Sequence, residues 1–200
     1  PAFASGGNFA FGGARTGMDG PSLPPSLTAQ GGMFLSAFGG IAPQDGLYIL
    51  ESGGNDLRDA LAAIAAGGDS ETVIETTVTQ YADATSTLVD QLQAAGAQRI
   101  VVWNVPNIGV SPAVIGEGLQ ASLLAEHLAI MMNSALSERM SAEHGVTIFD
   151  DFGLITDTVM NPAKYGLINV TDACGAVPTC DPSTYLFWDG IHPTSIGHAL

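Results

Sequence analysis

Positive charge is scarce in this chain. Arg15, Arg58, Arg99, Arg139 and Lys164 are its five basic residues, set against 20 Asp and Glu, for a formal net charge of −15. A surface of that sign repels phosphate backbones and anionic lipid headgroups, so nucleic acid is excluded as a partner. The acidity is read as a solubility device suited to a salty or extracellular medium, not as a partner-binding face. Long apolar runs are missing as well. Residues 20–44 carry no charge but are interrupted by Pro21, Pro24, Pro25, Pro43 and several glycines, so no transmembrane segment is expected in the chain. Cysteine is limited to Cys174 and Cys180, which bracket the loop-like stretch C-G-A-V-P-T-C. A disulfide between them is expected and implies an oxidising compartment; two free thiols in a reducing one is the alternative. Two cysteines with no neighbouring Cys or His pair make only half a zinc site. The chain starts at Pro1 without an initiating Met or a signal peptide, and it reads as cut at both ends.

What is present is enough for one domain, taken as residues 1–200, with no internal repeat and no linker. Residues 1–17 suggest a short strand feeding a tight turn at Gly12-Gly13. A short helix is expected around Met33–Phe38, a strand at Gly46–Leu50, and an Ala-rich helix at Leu57–Ala66 stopped by Gly67-Gly68. Asp69 or Ser70 caps the next helix, which runs to about Ala95 with Val73, Val78, Tyr81, Leu88 and Leu92 facing a core. Ile100–Trp103 is a continuous apolar run of the buried parallel kind, and Val146–Phe149 is another strand. Between them Glu117–Ala142 reads as a long helix. Asp151–Val159 reads as a short helix, 161–186 as irregular, and a final helix is expected from Pro193. Strands alternating with helices of these lengths predict an α/β domain with a parallel sheet.

In such a fold ligands gather at the carboxyl ends of the strands. Three polar clusters fall there: N-F-A-F-G-G-A-R-T-G (Asn8–Gly17), S-G-G-N-D (Ser52–Asp56) and F-W-D-G-I-H-P-T (Phe187–Thr194). In the last, Asp189 and His192 are three apart and project to one side of a tight turn. That spacing lets a carboxylate hold an imidazole in one tautomer, which is the Asp-His half of a nucleophilic triad. A glycine such as Gly13 lets a backbone N–H approach a ligand, and the amide of Asn55 is able to donate to a developing oxyanion. Taken singly, each has a plainer reading: a tight turn, a helix cap, a solvent-side histidine. His127, His144 and His198 are assigned structural positions, and Trp188 and Phe187 are expected to pack the D-G-I-H loop onto the core.

The three clusters, in this order, resemble the SGNH (GDSL-type) esterases and lipases over nearly the whole chain. V-P-N-I-G-V-S-P at 105–112 and the cysteine pair resemble the extracellular bacterial branch, which includes autotransporter passengers. The resemblance implies a flavodoxin-like three-layer α/β/α sandwich, Gly13 and Asn55 as oxyanion donors, and Asp189 and His192 as catalytic partners. It implies a small-molecule or lipid ester as substrate, no cofactor and no metal, and a secreted, periplasmic or cell-surface location. The G-D-S block that carries the family's nucleophile is absent before Asn8, so the nucleophile and the first strand are expected to lie outside this chain. Ser5 stands too close to the second block to replace it. Gly68-Asp69-Ser70 spells G-D-S but falls between two expected helices, where Ser70 is read as a cap. A non-catalytic binding or passenger module on the same fold is the alternative.

Overall fold

A computed structural model describes residues 7–200. Two compact units emerge, one comprising the chain up to Val105 together with Ile130–Phe149, the other Pro106–Ala129 with Asp150–Leu200. Ser5 lies outside the described residues.

The first unit is built on three parallel strands in the order β1-β2-β3: β1 (Tyr48–Leu50), β2 (Ile100–Trp103) and β3 (Val146–Phe149). Tyr48 stands opposite Ile100, and Ile100 opposite Val146. Parallel neighbours need long crossovers, and helices supply them. Helix α1 (Leu27–Ala37) precedes the sheet; α2 (Gly54–Ala65) and α3 (Ser70–Ala94) connect β1 to β2. The period-two pattern turns Leu50, Ile100 and Val102 inward, where they are buried. Tyr81, Ala82, Thr85, Leu88, Val89 and Leu92 recur at helical spacing along α3 and are buried with them. Each fully buried leucine there contributes about 2 kcal/mol relative to exposure in water. Val73 and Val78, expected in that core, are only partly buried; they lie in the first turns of α3, ahead of the buried stretch that starts at Tyr81.

Beyond β2 the chain is held by Asn133. Its Oδ1 accepts from the Val105 N–H at 2.7 Å and its Nδ2 donates to the Val105 carbonyl at 2.9 Å. The side chain thus replaces a strand neighbour where the sheet ends.

The second unit contains α4 (Pro112–Gly116), α6 (Asp151–Met160) and two parallel strands, β4 (Asn169–Ala173) and β5 (Tyr185–Phe187). Helix α5 (Leu119–Met140) gives its first half to this unit and its second half to the other. Leu167, Leu186 and Phe187 form a small buried cluster, with Val159, Tyr165, Val170 and Ile196 packed on it.

The α/β class and the parallel pairing agree with the sequence reading; several local expectations are corrected. No strand forms at 7–11, although the turn at Gly12-Gly13 is present. Helix α1 begins earlier than expected because the Ser26 hydroxyl accepts from the Ala29 N–H and caps it. Helix α3 is capped by Asp69, whose carboxylate accepts from the Thr72 N–H and hydroxyl; Ser70 is its first helical residue. The stretch 161–186 is not irregular throughout, since it holds β4. The expected helix from Pro193 is replaced by one 3₁₀ turn at Gly197–Ala199. Pro193 bridges to Phe187 and the Thr194 N–H donates to the Leu186 carbonyl, so the segment is spent as an extended partner of β5.

Candidate active site

Strand β5 delivers the D-G-I-H turn. Its last backbone contacts close a loop in which the Trp188 N–H donates to the His192 carbonyl at 2.8 Å. Inside that loop the Asp189 carboxylate is fully engaged. Oδ1 accepts from the Ile191 N–H at 2.8 Å and the His192 N–H at 2.7 Å. Oδ2 lies 2.7 Å from His192 Nδ1. The three-residue spacing therefore serves two purposes: it forms the turn and brings the ring onto the second oxygen. Partial burial by itself would raise the Asp189 pKa; the two amides and the His192 ring outweigh it and hold the carboxyl at about 2. Asp189 stays ionised at neutral pH, so Nδ1 carries the proton it shares and Nε2 is left as the basic nitrogen.

Two further contacts brace this turn. The Ala113 N–H, at the start of α4, donates to the Gly190 carbonyl at 2.9 Å. The buried Thr194 hydroxyl donates to the Tyr185 carbonyl at 2.7 Å and accepts from the Gly197 N–H at 3.2 Å. Phe187 is buried as expected. Trp188 is not: it stands one residue past the end of β5 and about half of it, 49%, is exposed.

In the first unit, Asn55 meets the loop that begins at Gly13. Gly53 caps α2 with φ of +95°, a left-handed conformation. A Cβ at this position would lie 2.5 Å from Val105 Cγ2 and 2.8 Å from Tyr81 Cε2, so both backbone and space call for glycine. That start places Asn55 in the first turn of α2, not at its cap, and its Nδ2 donates to the Ala14 carbonyl at 3.0 Å. Asp56 accepts from the Thr16 N–H at 3.0 Å and from its hydroxyl at 3.1 Å. Burial pushes the Asp56 carboxyl up, opposed by those Thr16 bonds. Asp59 receives Arg15 through Nε and Nη2, both at 2.8 Å, while Arg15 Nη1 donates to the Gly13 carbonyl at 2.9 Å. One face of α2 thus grips the Gly13–Thr16 loop, in which Gly13 has φ of +79°. Asp59 lies three residues after Asp56 and four after Asn55, spacings that a helix brings to one side. Sequence reasoning named only Asn55; the spacing of N-D-L-R-D was the available signal for the other two. Arg15 and Thr16 carried none, since their partners are 44 and 40 residues away.

Cys174 and Cys180 are disulfide-bonded, with Cα atoms 5.5 Å apart. Among the described residues no three His, Cys, Asp or Glu side chains converge as metal ligands, and no helix is long and apolar enough to cross a membrane. Ser70 lies exposed in the first turn of α3.

The model of the GDSL-like lipase/acylhydrolase family matches residues 2–200. The chain is 28% identical over 144 residues to the GDSL esterase/lipase APG of Arabidopsis thaliana, covering 59% of this chain and 41% of that protein. It is 32% identical over 121 residues to Esterase EstA of Pseudomonas aeruginosa, covering 52% of this chain and 18% of that protein. The chain thus spans less than half the length of these relatives. A match over nearly all its residues places the chain in the family, whose α/β fold of the SGNH hydrolase type accords with the parallel sheets described above.

Proposed function

We propose that the protein carrying this chain, as a member of the GDSL-like lipase/acylhydrolase family, hydrolyses carboxylic esters by a Ser-His-Asp mechanism. The observation that carries this reading is the Asp189 carboxylate, held by two backbone amides and bonded to His192 Nδ1 at 2.7 Å.

In this scheme a serine hydroxyl attacks the acyl carbon while His192 Nε2 takes its proton. Asp189 stabilises the imidazolium that forms. The Gly13 N–H and the Asn55 amide receive the oxyanion of the tetrahedral intermediate. One Asn55 N–H already donates to the Ala14 carbonyl, which orients the amide and leaves its second N–H for the oxyanion. His192 returns the proton to the leaving alcohol; water then attacks the acyl-enzyme by the same relay in reverse. No metal or cofactor enters the scheme. The nucleophile is assigned to a serine upstream of Asn8, since Ser70 belongs to a helix start and not to a strand-to-turn setting. The disulfide and the acidic surface support a secreted, periplasmic or cell-surface protein.

The test is turnover of a short-chain nitrophenyl ester by the full reading frame, by its His192→Ala variant and by these 200 residues alone. Full-frame activity lost in His192→Ala and absent from the 200 residues is expected. Equal turnover by the 200 residues would overturn the nucleophile assignment. An inactive full frame with no upstream G-D-S would favour a non-catalytic module on the same fold.

A further inference from the structure

The Cys174–Cys180 loop reaches the D-G-I-H turn through one residue. Strand β4 ends at Ala173, which pairs with Phe187 of β5. The chain then enters a 3₁₀ turn at Cys174–Ala176, with the Val177 N–H donating to the Cys174 carbonyl and the Cys180 N–H to the Val177 carbonyl, both at 3.0 Å. At the head of this closed loop, the Gly175 N–H donates to the Trp188 carbonyl at 2.8 Å. That bond extends the β4–β5 ladder one step further, onto the peptide joining Trp188 to Asp189. The Trp188 N–H is tied at the same time to the His192 carbonyl. Trp188 is therefore held on both sides, and Asp189 is the next residue.

The fit at Gly175 is tight. A Cβ there would lie 3.0 Å from the Trp188 carbonyl oxygen and 3.5 and 3.6 Å from Cε2 and Cζ2 of the indole. Alanine would push the Trp188 peptide by a few tenths of an ångström, and a branched side chain would push it further. Cys174 beside it is buried and covalently fixed, so the strap does not yield on its own side.

We propose that Gly175, anchored by the Cys174–Cys180 disulfide, is a positioning residue for the Asp189–His192 pair. The loop sets the Trp188 peptide, the peptide sets where Asp189 begins its turn, and the turn sets the ring of His192. The proposal rests on the catalytic reading of that pair. Displacements well below 1 Å in a proton-transfer pair lower turnover without altering substrate binding.

The experiment uses the full reading frame, oxidised, with Gly175→Ala, Gly175→Val and the Cys174→Ser/Cys180→Ser double variant. Expected are a kcat about threefold lower for Gly175→Ala and about tenfold or more lower for Gly175→Val and the double serine variant, with KM within about twofold. The downfield imidazole Nδ1–H resonance of His192, read by NMR, should weaken or shift in the same order. In an Asp189→Asn background Gly175→Val should add little, because both changes act through one pair. A Gly175→Val protein that keeps its kcat, or whose loss multiplies fully with that of Asp189→Asn, overturns the proposal. If Gly175→Val fails to fold, Gly175→Ala and reduction of the wild-type disulfide by a dithiol carry the same comparison. If His192→Ala leaves ester turnover intact, the catalytic reading falls; the NMR resonance then decides positioning by itself, and an unchanged signal across the variants refutes it.

Discussion

Replacing Asp189 by Asn should separate catalysis from stability at this site. The Asn carbonyl oxygen can still accept from the Ile191 and His192 amides, so the turn at 189–192 is retained. The atom facing His192 Nδ1 becomes an N–H donor, which reverses the preferred tautomer and removes the charge that stabilises the imidazolium. In a buried triad that substitution costs about 10⁴ in kcat. Here the Asp189 side chain is 48% exposed and that of His192 68% exposed, so water screens part of the effect. The loss in kcat should be about 10²–10³. Stability should respond weakly. The carboxyl is held at about 2, and the corresponding linkage, discounted for exposure, amounts to about 1 kcal/mol or less. In a domain of this size that is a Tm change of about 2–4 °C. The sign follows from the lowered pKa. Asp189 contributes its stability above the unfolded carboxyl range near pH 4 and loses it as pH falls through about 2. The Tm gap between wild type and Asp189→Asn should therefore narrow as pH drops from about 5 toward 2. Ester kinetics and thermal unfolding of the full reading frame check both halves. An Asp189→Asn protein within about threefold of wild-type kcat would refute the assignment of the pair.

Other consequences are equally direct. Gly53→Ala combines a positive φ with contacts inside 3 Å of Val105 and Tyr81; it should destabilise by about 2–4 kcal/mol in denaturant unfolding. Asn55→Ala removes one proposed oxyanion donor and its bond to the Ala14 carbonyl, so kcat should fall by about 10²–10³ with little change in KM. Thr194→Val keeps the shape but strands the Tyr185 carbonyl and the Gly197 N–H, and a stability loss of about 1–3 kcal/mol is expected by thermal unfolding. Asp157 is held at about 2 by Lys164, Tyr165 and Asn161; in Lys164→Ala its carboxyl midpoint, followed by NMR, should rise.

The parts of the site that were legible in the sequence are those whose physics is local. Asp189 and His192 lie within one turn, so spacing alone predicted their bond. Asn55 stood in the turn-like S-G-G-N-D next to an Ala-rich run, although the helix expected from Leu57 begins at Gly54. The strand Ile100–Trp103 is a short unbroken apolar run and Val146–Phe149 is β-branched and aromatic throughout; both formed at the expected bounds. Strand β4 was missed because Asn169–Ala173 has a polar composition, with partners supplied by β5. The helix expected after Pro193 failed for the opposite reason: its local signals were adequate, but pairing with β5 claimed its backbone first.

The sequence by itself determined the α/β class, the family and the Asp-His turn, because each is written in residue order or in contacts a few positions apart. Tertiary structure alone decided what holds those groups in place. Arg15 on Asp59, Thr16 on Asp56 and Gly175 on Trp188 join residues between 13 and 44 positions apart. Such bonds depend on which surfaces meet once the strands have paired, and no local periodicity announces them.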